Sequence, residues 1–220
     1  MIAPHLISDS IPALHTDDPG EQALIQMHEY NVGQLPVIEG KKYVGIVTME
    51  ELISSKHLSH PLKDIVQNFR KPFVRNTAHI FDIMKAAVEF NVRIVPVVDD
   101  QQNYLGLVSA ESCLRAFAVL NSVNEPGAII ELEIARKDYS LSQLSHIVED
   151  SEAAIICFYS HMNNDSGNVE ITIKVNTNEV AGIIASFERY NYEVKSVHND
   201  VEYGEDLKDR YDALMRYLNI

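Results

Sequence analysis

The sequence is short of the features that mark out whole classes of protein. It holds two cysteines in 220 residues, Cys113 and Cys157, one in each half and each among apolar neighbours. That usage fits reduced thiols in a cytoplasmic protein better than a disulfide framework. Basic residues are scarce: 18 Lys and Arg stand against 32 Asp and Glu, a formal charge of −14. So acidic a chain argues against sequence-independent binding to nucleic acid or to an anionic membrane, since both need basic surface. No apolar run approaches the roughly 18 residues that cross a bilayer, and the N-terminus shows no basic stretch followed by an apolar core. Phosphate loops of the Gly-x-Gly-x-x-Gly or Walker type are missing, and no nucleophile elbow surrounds a serine. The nine histidines are scattered; His57 and His60 lie three apart, but no cysteine or carboxylate set stands beside them, so no metal site is expected. No residue is nominated as catalytic, and the chain reads as a non-enzyme.

What is present is a repeat. Glu29-Tyr30-Asn31-Val32-Gly33-Gln34-Leu35-Pro36-Val37-Ile38 returns 60 positions later as Glu89-Phe90-Asn91-Val92-Arg93-Ile94-Val95-Pro96-Val97-Val98. Gly45-Ile46-Val47-Thr48 returns as Gly106-Leu107-Val108-Ser109 at an offset of 61, so one residue was added between the two blocks. Duplication at this period means two modules packed together with related grooves between them. Charge is uneven as well. Residues 1–120 carry 10 Lys/Arg against 14 Asp/Glu, and residues 121–220 carry 8 against 18. An anionic ligand is therefore less opposed in the first half.

Within repeat one, the pattern predicts a short opening stretch over 11–14, a helix over 21–30, strands over 34–38 and 43–47, and a helix over 49–55 capped by Thr48. Repeat two copies this with 73–74, 80–90, 94–98, 104–108 and a helix from Ser109 to about 120; residues 57–61 link the two. The turn at 124–127 suits a domain boundary. Beyond it the order is strand 128–134, helix 141–150, strand 153–160, strand 169–175, helix 179–190 and strand 193–197. That is a βαββαβ sandwich with an antiparallel sheet. A last amphipathic helix is expected over 205–218, with Leu207, Tyr211, Leu214 and Leu218 on one side. The expected domains are 1–58, 59–122, 123–200 and 201–220, in an α+β / α/β fold.

The two repeats resemble a pair of CBS (cystathionine-β-synthase) domains, the Bateman module. The resemblance rests on Leu35-Pro36-Val37 with Gly45-Ile46-Val47-Thr48-Met49-Glu50-Glu51, and on Val95-Pro96-Val97 with Gly106-Leu107-Val108-Ser109-Ala110-Glu111-Ser112. The second half resembles an ACT domain, by element order more than by residues. The order CBS–CBS–ACT is similar to that of the bacterial acetoin-utilisation regulatory proteins. The loop after the first ACT-like strand, 135–140, lacks the glycine usual in amino-acid-binding ACT domains, so dimerisation is the expected role there.

The CBS resemblance implies a cleft for an adenosine compound: AMP, ADP, ATP or S-adenosylmethionine. It implies that each cleft combines the Ser/Thr-x-x-Asp turn of one repeat with strands of the other. A first cleft would then hold Ile46, Thr48, Glu50 and Glu51 with Pro72, Phe73, Val74, Arg93, Ile94 and Pro96. A second would hold Leu107, Ser109, Glu111 and Ser112 with Ala13, Leu14, Gly33, Gln34 and Pro36. Arg93 and Glu51 make the first cleft the expected binder, because the matching positions in the second are Gly33 and Ser112. Simpler readings stand beside these: Thr48 and Ser109 as helix caps, Glu51 as first-turn charge, Arg93 as a surface ion pair, Pro36 and Pro96 as strand-edge residues. The expected partners are a second copy in a homodimer and an unidentified regulated protein, with neither nucleic acid nor membrane. The rival readings are a ligand-free dimerisation module and an amino-acid effector at the ACT-like interface.

Overall fold

The computed structural model describes residues 1–199 apart from Asp9, Lys56 and Gln67. The helix expected over 205–218 lies outside the described residues. Two compact units divide the chain, Met1–Phe117 and Ala118–Ile220.

In the first unit, repeat one runs β1 (Leu14–His15), α1 (Gly20–Glu29), β2 (Gln34–Glu39), β3 (Lys42–Thr48) and α2 (Met49–Ser54). A short helix α3 (Leu62–Ile65) falls in the stretch between the repeats. Repeat two runs β4 (Val74–Arg75), α4 (Ile80–Glu89), β5 (Ile94–Val98), β6 (Tyr104–Ser109) and α5 (Ala110–Leu120). Each repeat forms a three-stranded sheet, β1-β2-β3 or β4-β5-β6, with the first pair parallel and the second antiparallel.

The recurring Asn-Val is a helix stop. Asn31 and Asn91 take φ of 52° and 50°, the left-handed conformation that ends a helix. Val32 N donates to Met27 O at 2.9 Å and Asn31 N to His28 O at 3.2 Å; Val92 and Asn91 repeat both bonds after α4, to Ala87 O and Val88 O. Asparagine tolerates this backbone better than a branched residue does.

The repeats exchange their leading segments. Ala3 and Leu6 are buried in the core of repeat two, beside Ile80, Ile83 and Val95. Leu62 and Val66 are buried in the core of repeat one, beside Leu14, Ala23 and Met27. Main-chain bonds fasten the exchange: Ser8 N to Leu107 O at 2.9 Å, and Ile46 N to Arg70 O at 2.8 Å. Gly45 makes room for it. A Cβ there would lie 2.4 Å from Phe69 Cβ and 2.5 Å from Arg70 O. The glycine leading the return strand is thus a point of close approach between repeats. The hairpins also pair with each other, Tyr43 N to Gln102 O at 3.0 Å and Tyr104 N to Lys41 O at 2.8 Å. Tyr43 sits at the centre of this junction. Its hydroxyl donates to Pro72 O at 2.8 Å, its ring meets Phe73 edge-on at 6.3 Å, and burial holds its pKa well above the usual tyrosine range.

The second unit carries β7 (Ile129–Ala135), α6 (Leu141–Glu149), β8 (Ile155–Met162), β9 (Asn168–Val175), α7 (Ala181–Arg189) and β10 (Glu193–His198). The sheet order β10-β7-β9-β8 is antiparallel throughout, which is the expected βαββαβ arrangement. Alternation on β9 puts Val169, Ile171, Ile173 and Val175 into a core with Leu144, Ile147 and Phe187.

Candidate functional site

Each return strand ends on a hydroxyl that caps the next helix. Thr48 Oγ1 accepts from Glu51 N at 3.2 Å. Glu51 Oε2 in turn accepts from Thr48 N at 2.7 Å and from the Thr48 hydroxyl at 2.8 Å, which completes a capping box. In repeat two, Ser109 Oγ accepts from Ser112 N at 3.0 Å and lies 3.0 Å from Ser112 Oγ. One oxygen of Glu51 is therefore committed to its own helix, while the Ser109–Ser112 pair carries no charge.

A cavity of about 610 Å³ opens at the Ser109 end. Five of the nominated residues line it: Arg93, Ile94, Ser109, Glu111 and Ser112. Sequence reasoning missed the others. They are Ser8 and Ser10 from the exchanged leading segment, Ile11 from the stretch before β1, Tyr30, Asn31 and Val32 from the end of α1, and Ala110 and Arg115 from α5. The polar groups thus include four serine hydroxyls, the Tyr30 phenol and two guanidiniums. Arg115 is partnered: its Nη2 lies 2.5 Å from Glu111 Oε1, on the exposed face of the helix. A second cavity of about 310 Å³ is lined by Val32, Gly33, Gln34, Asn91, Arg93 and Ile94, where the two repeats meet. The cavities share Val32, Arg93 and Ile94.

Arg93 lines the larger cavity with Ser109, whereas the sequence reading grouped it with Thr48. The reason is register. Arg93 immediately precedes β5, where Ile94 pairs with Ser109, and Ala110 N donates to Arg93 O at 2.8 Å. The matching position in repeat one is Gly33, whose carbonyl accepts from Met49 N at 2.9 Å. Thr48, Glu50 and Glu51 lie outside the larger cavity. Gly33 and Gln34 line the smaller one.

Most of the other nominated residues are buried or half-buried. Leu14, Ile46 and Leu107 are fully buried, Val74 is nearly so, and Pro36, Pro72 and Pro96 are buried in their strands or beside them. Phe73 packs on Tyr43, and Ala13 is half-buried next to β1.

Ser8 and Arg70 occupy matching places in the exchange, against Leu107 and Ile46. They share no chemistry, so the repeat could not be followed into the leading segments. Arg70 turns its guanidinium to Phe90 O at 2.8 Å. Among the described residues, no group of three or more His, Cys, Asp or Glu could hold a metal ion, and no helix is long and apolar enough to cross a membrane.

The CBS domain family model matches the chain twice, over residues 4–57 and 62–119. The inosine-5′-monophosphate dehydrogenase of Korarchaeum cryptofilum is 31% identical over 96 residues, which make up 43% of this chain and 20% of that enzyme. The chain thus spans about a fifth of that relative's length. Among solved structures, a CBS domain pair/ACT domain protein from Thermotoga maritima matches with a TM-score of 0.50 at 21% identity, over 54% of this chain and 98% of that one. CBSX2, solved in complex with AMP, matches with a TM-score of 0.48 at 21% identity, over 54% and 96%. At 21% identity the likeness to the Thermotoga maritima protein concerns the fold.

Proposed function

The chain belongs to the CBS domain family, and from that premise we propose that it is a non-catalytic regulatory protein that binds an adenine nucleotide where its two repeats meet. The observation that carries this reading is the cavity of about 610 Å³ on the Ser109 side, with Arg93 in its wall. A guanidinium offers forked donors to a phosphate, and serine hydroxyls donate to or accept from ribose and phosphate oxygens. The binding set is Arg93, Ile94, Ser109, Glu111 and Ser112 with Ser8, Ser10 and Arg115. The cleft at Thr48, Glu50 and Glu51 is the secondary one, because its carboxylate already serves the capping box.

AMP, ADP and ATP are the first ligands to test, with S-adenosylmethionine as the adenosyl alternative. The protein acts as a cytoplasmic homodimer; the free thiols of Cys113 and Cys157 suit that compartment. Residues 1–58 and 59–122 form the sensor, and 123–200 form an ACT-like unit that relays its state, as in the acetoin-utilisation regulatory arrangement. A ligand shifts such an assembly only by binding one arrangement more tightly than another.

Thermal unfolding of the full chain with each compound tests the reading. A ligand at about 100 times its Kd stabilises by about 2.7 kcal/mol, well within reach of a melting curve. Wild type should shift, and Arg93→Ala should shift clearly less at the same ligand concentration. No shift with any adenine compound at millimolar concentration would leave the ligand-free dimerisation module as the better account. A shift with amino acids alone would favour an effector at the ACT-like unit.

A further inference from the structure

Gln34 opens β2 and faces the smaller cavity. Its Oε1 is buried and has no hydrogen-bond partner among the described residues. A buried amide oxygen without a donor carries a desolvation cost that a ligand N–H can remove. The orientation of the amide is set by its neighbour. Gln34 Nε2 donates to Asn91 O at 3.5 Å, and turning the amide over would bring two oxygens together. The acceptor that remains is therefore Oε1. Asn91 O is available for this because Asn91 sits in the left-handed turn after α4, at φ 50°.

We propose that Gln34 reads the base, taking a hydrogen bond from an exocyclic amino group and rejecting a base that carries an oxo group at the same place. The inference rests on nucleotide binding at this cleft and adds a selectivity to it. Val32, Arg93 and Ile94 border both cavities, so a nucleotide with its phosphates at Arg93 has the smaller cavity within reach of its base. Adenine presents an N6 amino donor to Gln34 Oε1. Hypoxanthine presents O6 there, and two acceptors would then face each other in a buried place.

ATP and ITP differ at the base only in the atoms that distinguish adenine from hypoxanthine, so the test compares their dissociation constants by calorimetry on the full chain. Wild type should bind ATP about tenfold more tightly than ITP, the equivalent of one well-placed hydrogen bond. Gln34→Met, close to isosteric, should weaken ATP and bring the two within about twofold. Gln34→Glu keeps an acceptor and should keep the preference for ATP. Equal binding of ATP and ITP by wild type overturns the inference and leaves nucleotide binding standing, and so does a preference that survives Gln34→Met. Binding of neither compound overturns the inference, and it overturns the proposed function as well where AMP, ADP and S-adenosylmethionine also leave the melting curve unmoved. The wild-type comparison needs no variant to fold.

Discussion

Arg93 and Ala110 are joined by a main-chain hydrogen bond of 2.8 Å, from the amide that opens α5 to the carbonyl just before β5. That bond fixes the cation beside the serines of its own repeat. Repeat one makes the same bond from Met49 to Gly33, where no side chain follows. The two clefts are thus built alike and charged differently.

The difference separates binding from capping. Arg93 is exposed at the cavity wall and lies outside the buried core. Arg93→Ala should weaken nucleotide binding about tenfold or more, in the range for a lost charge-assisted bond, and leave the denaturation midpoint of the free protein unchanged. Glu51→Ala should do the reverse. It removes the Glu51 half of the capping box on α2, leaves the bond from its own amide to Thr48 Oγ1, and should cost about 0.5–1.5 kcal/mol in urea unfolding, with little effect on ligand affinity. If Glu51→Ala abolished binding and Arg93→Ala did not, the assignment of the clefts would have to be exchanged.

Much of this was readable from the sequence, and the failures have physical causes. Strands of period two, helices of period 3.6 and the repeated Asn-Val and Pro-Val positions gave both sheets and the order of elements, because those signals are local. The wall of the cleft was not local. Ser8 and Ser10 reach it because the leading segment crosses to repeat two, and its counterpart near Arg70 bears no likeness to it. The family resemblance groups Arg93 with Thr48 of the other repeat, whereas the pairing of Ile94 with Ser109 brings it to the cavity on its own repeat's side. Register decided that.

The exchanged segments should be costly to disturb. Leu62 comes from the stretch between repeats and is fully buried against repeat one. Leu62→Ala should destabilise the chain by about 2–5 kcal/mol. Leu114, 69% exposed on α5, should cost about 0.5 kcal/mol or less on the same change. Chemical denaturation followed by circular dichroism distinguishes the two. Similar losses would mean that the exchange contributes nothing special to the core.

Gly45 tests the same junction from the other side. Its missing Cβ leaves room for Phe69 and the carbonyl of Arg70, which accepts from Ile46 N. Gly45→Ala should cost about 1–3 kcal/mol by overpacking. Amide hydrogen exchange should quicken at Ile46, whose bond to Arg70 would open first. Gly33→Ala meets nothing within 4 Å and serves as the control. Equal stability of the two variants would show that residues 69–70 do not press on β3.

Acid should loosen the second unit through one carboxylate. Lys195, 2.7 Å away, chiefly holds the Glu133 carboxyl below the usual glutamate range, helped by bonds from Asn168 and Ser166. A lowered folded-state pKa means that the unfolded chain binds the proton first. The stabilisation is thus complete above the ordinary glutamate value of about 4.3 and is lost as pH falls through the lower folded-state value. Urea unfolding of the second unit between pH 7 and pH 3 should show stability falling at the acid end. Glu133→Gln should flatten that fall, because the amide does not titrate. Parallel pH curves for wild type and variant would show that Glu133 takes no part in the acid response.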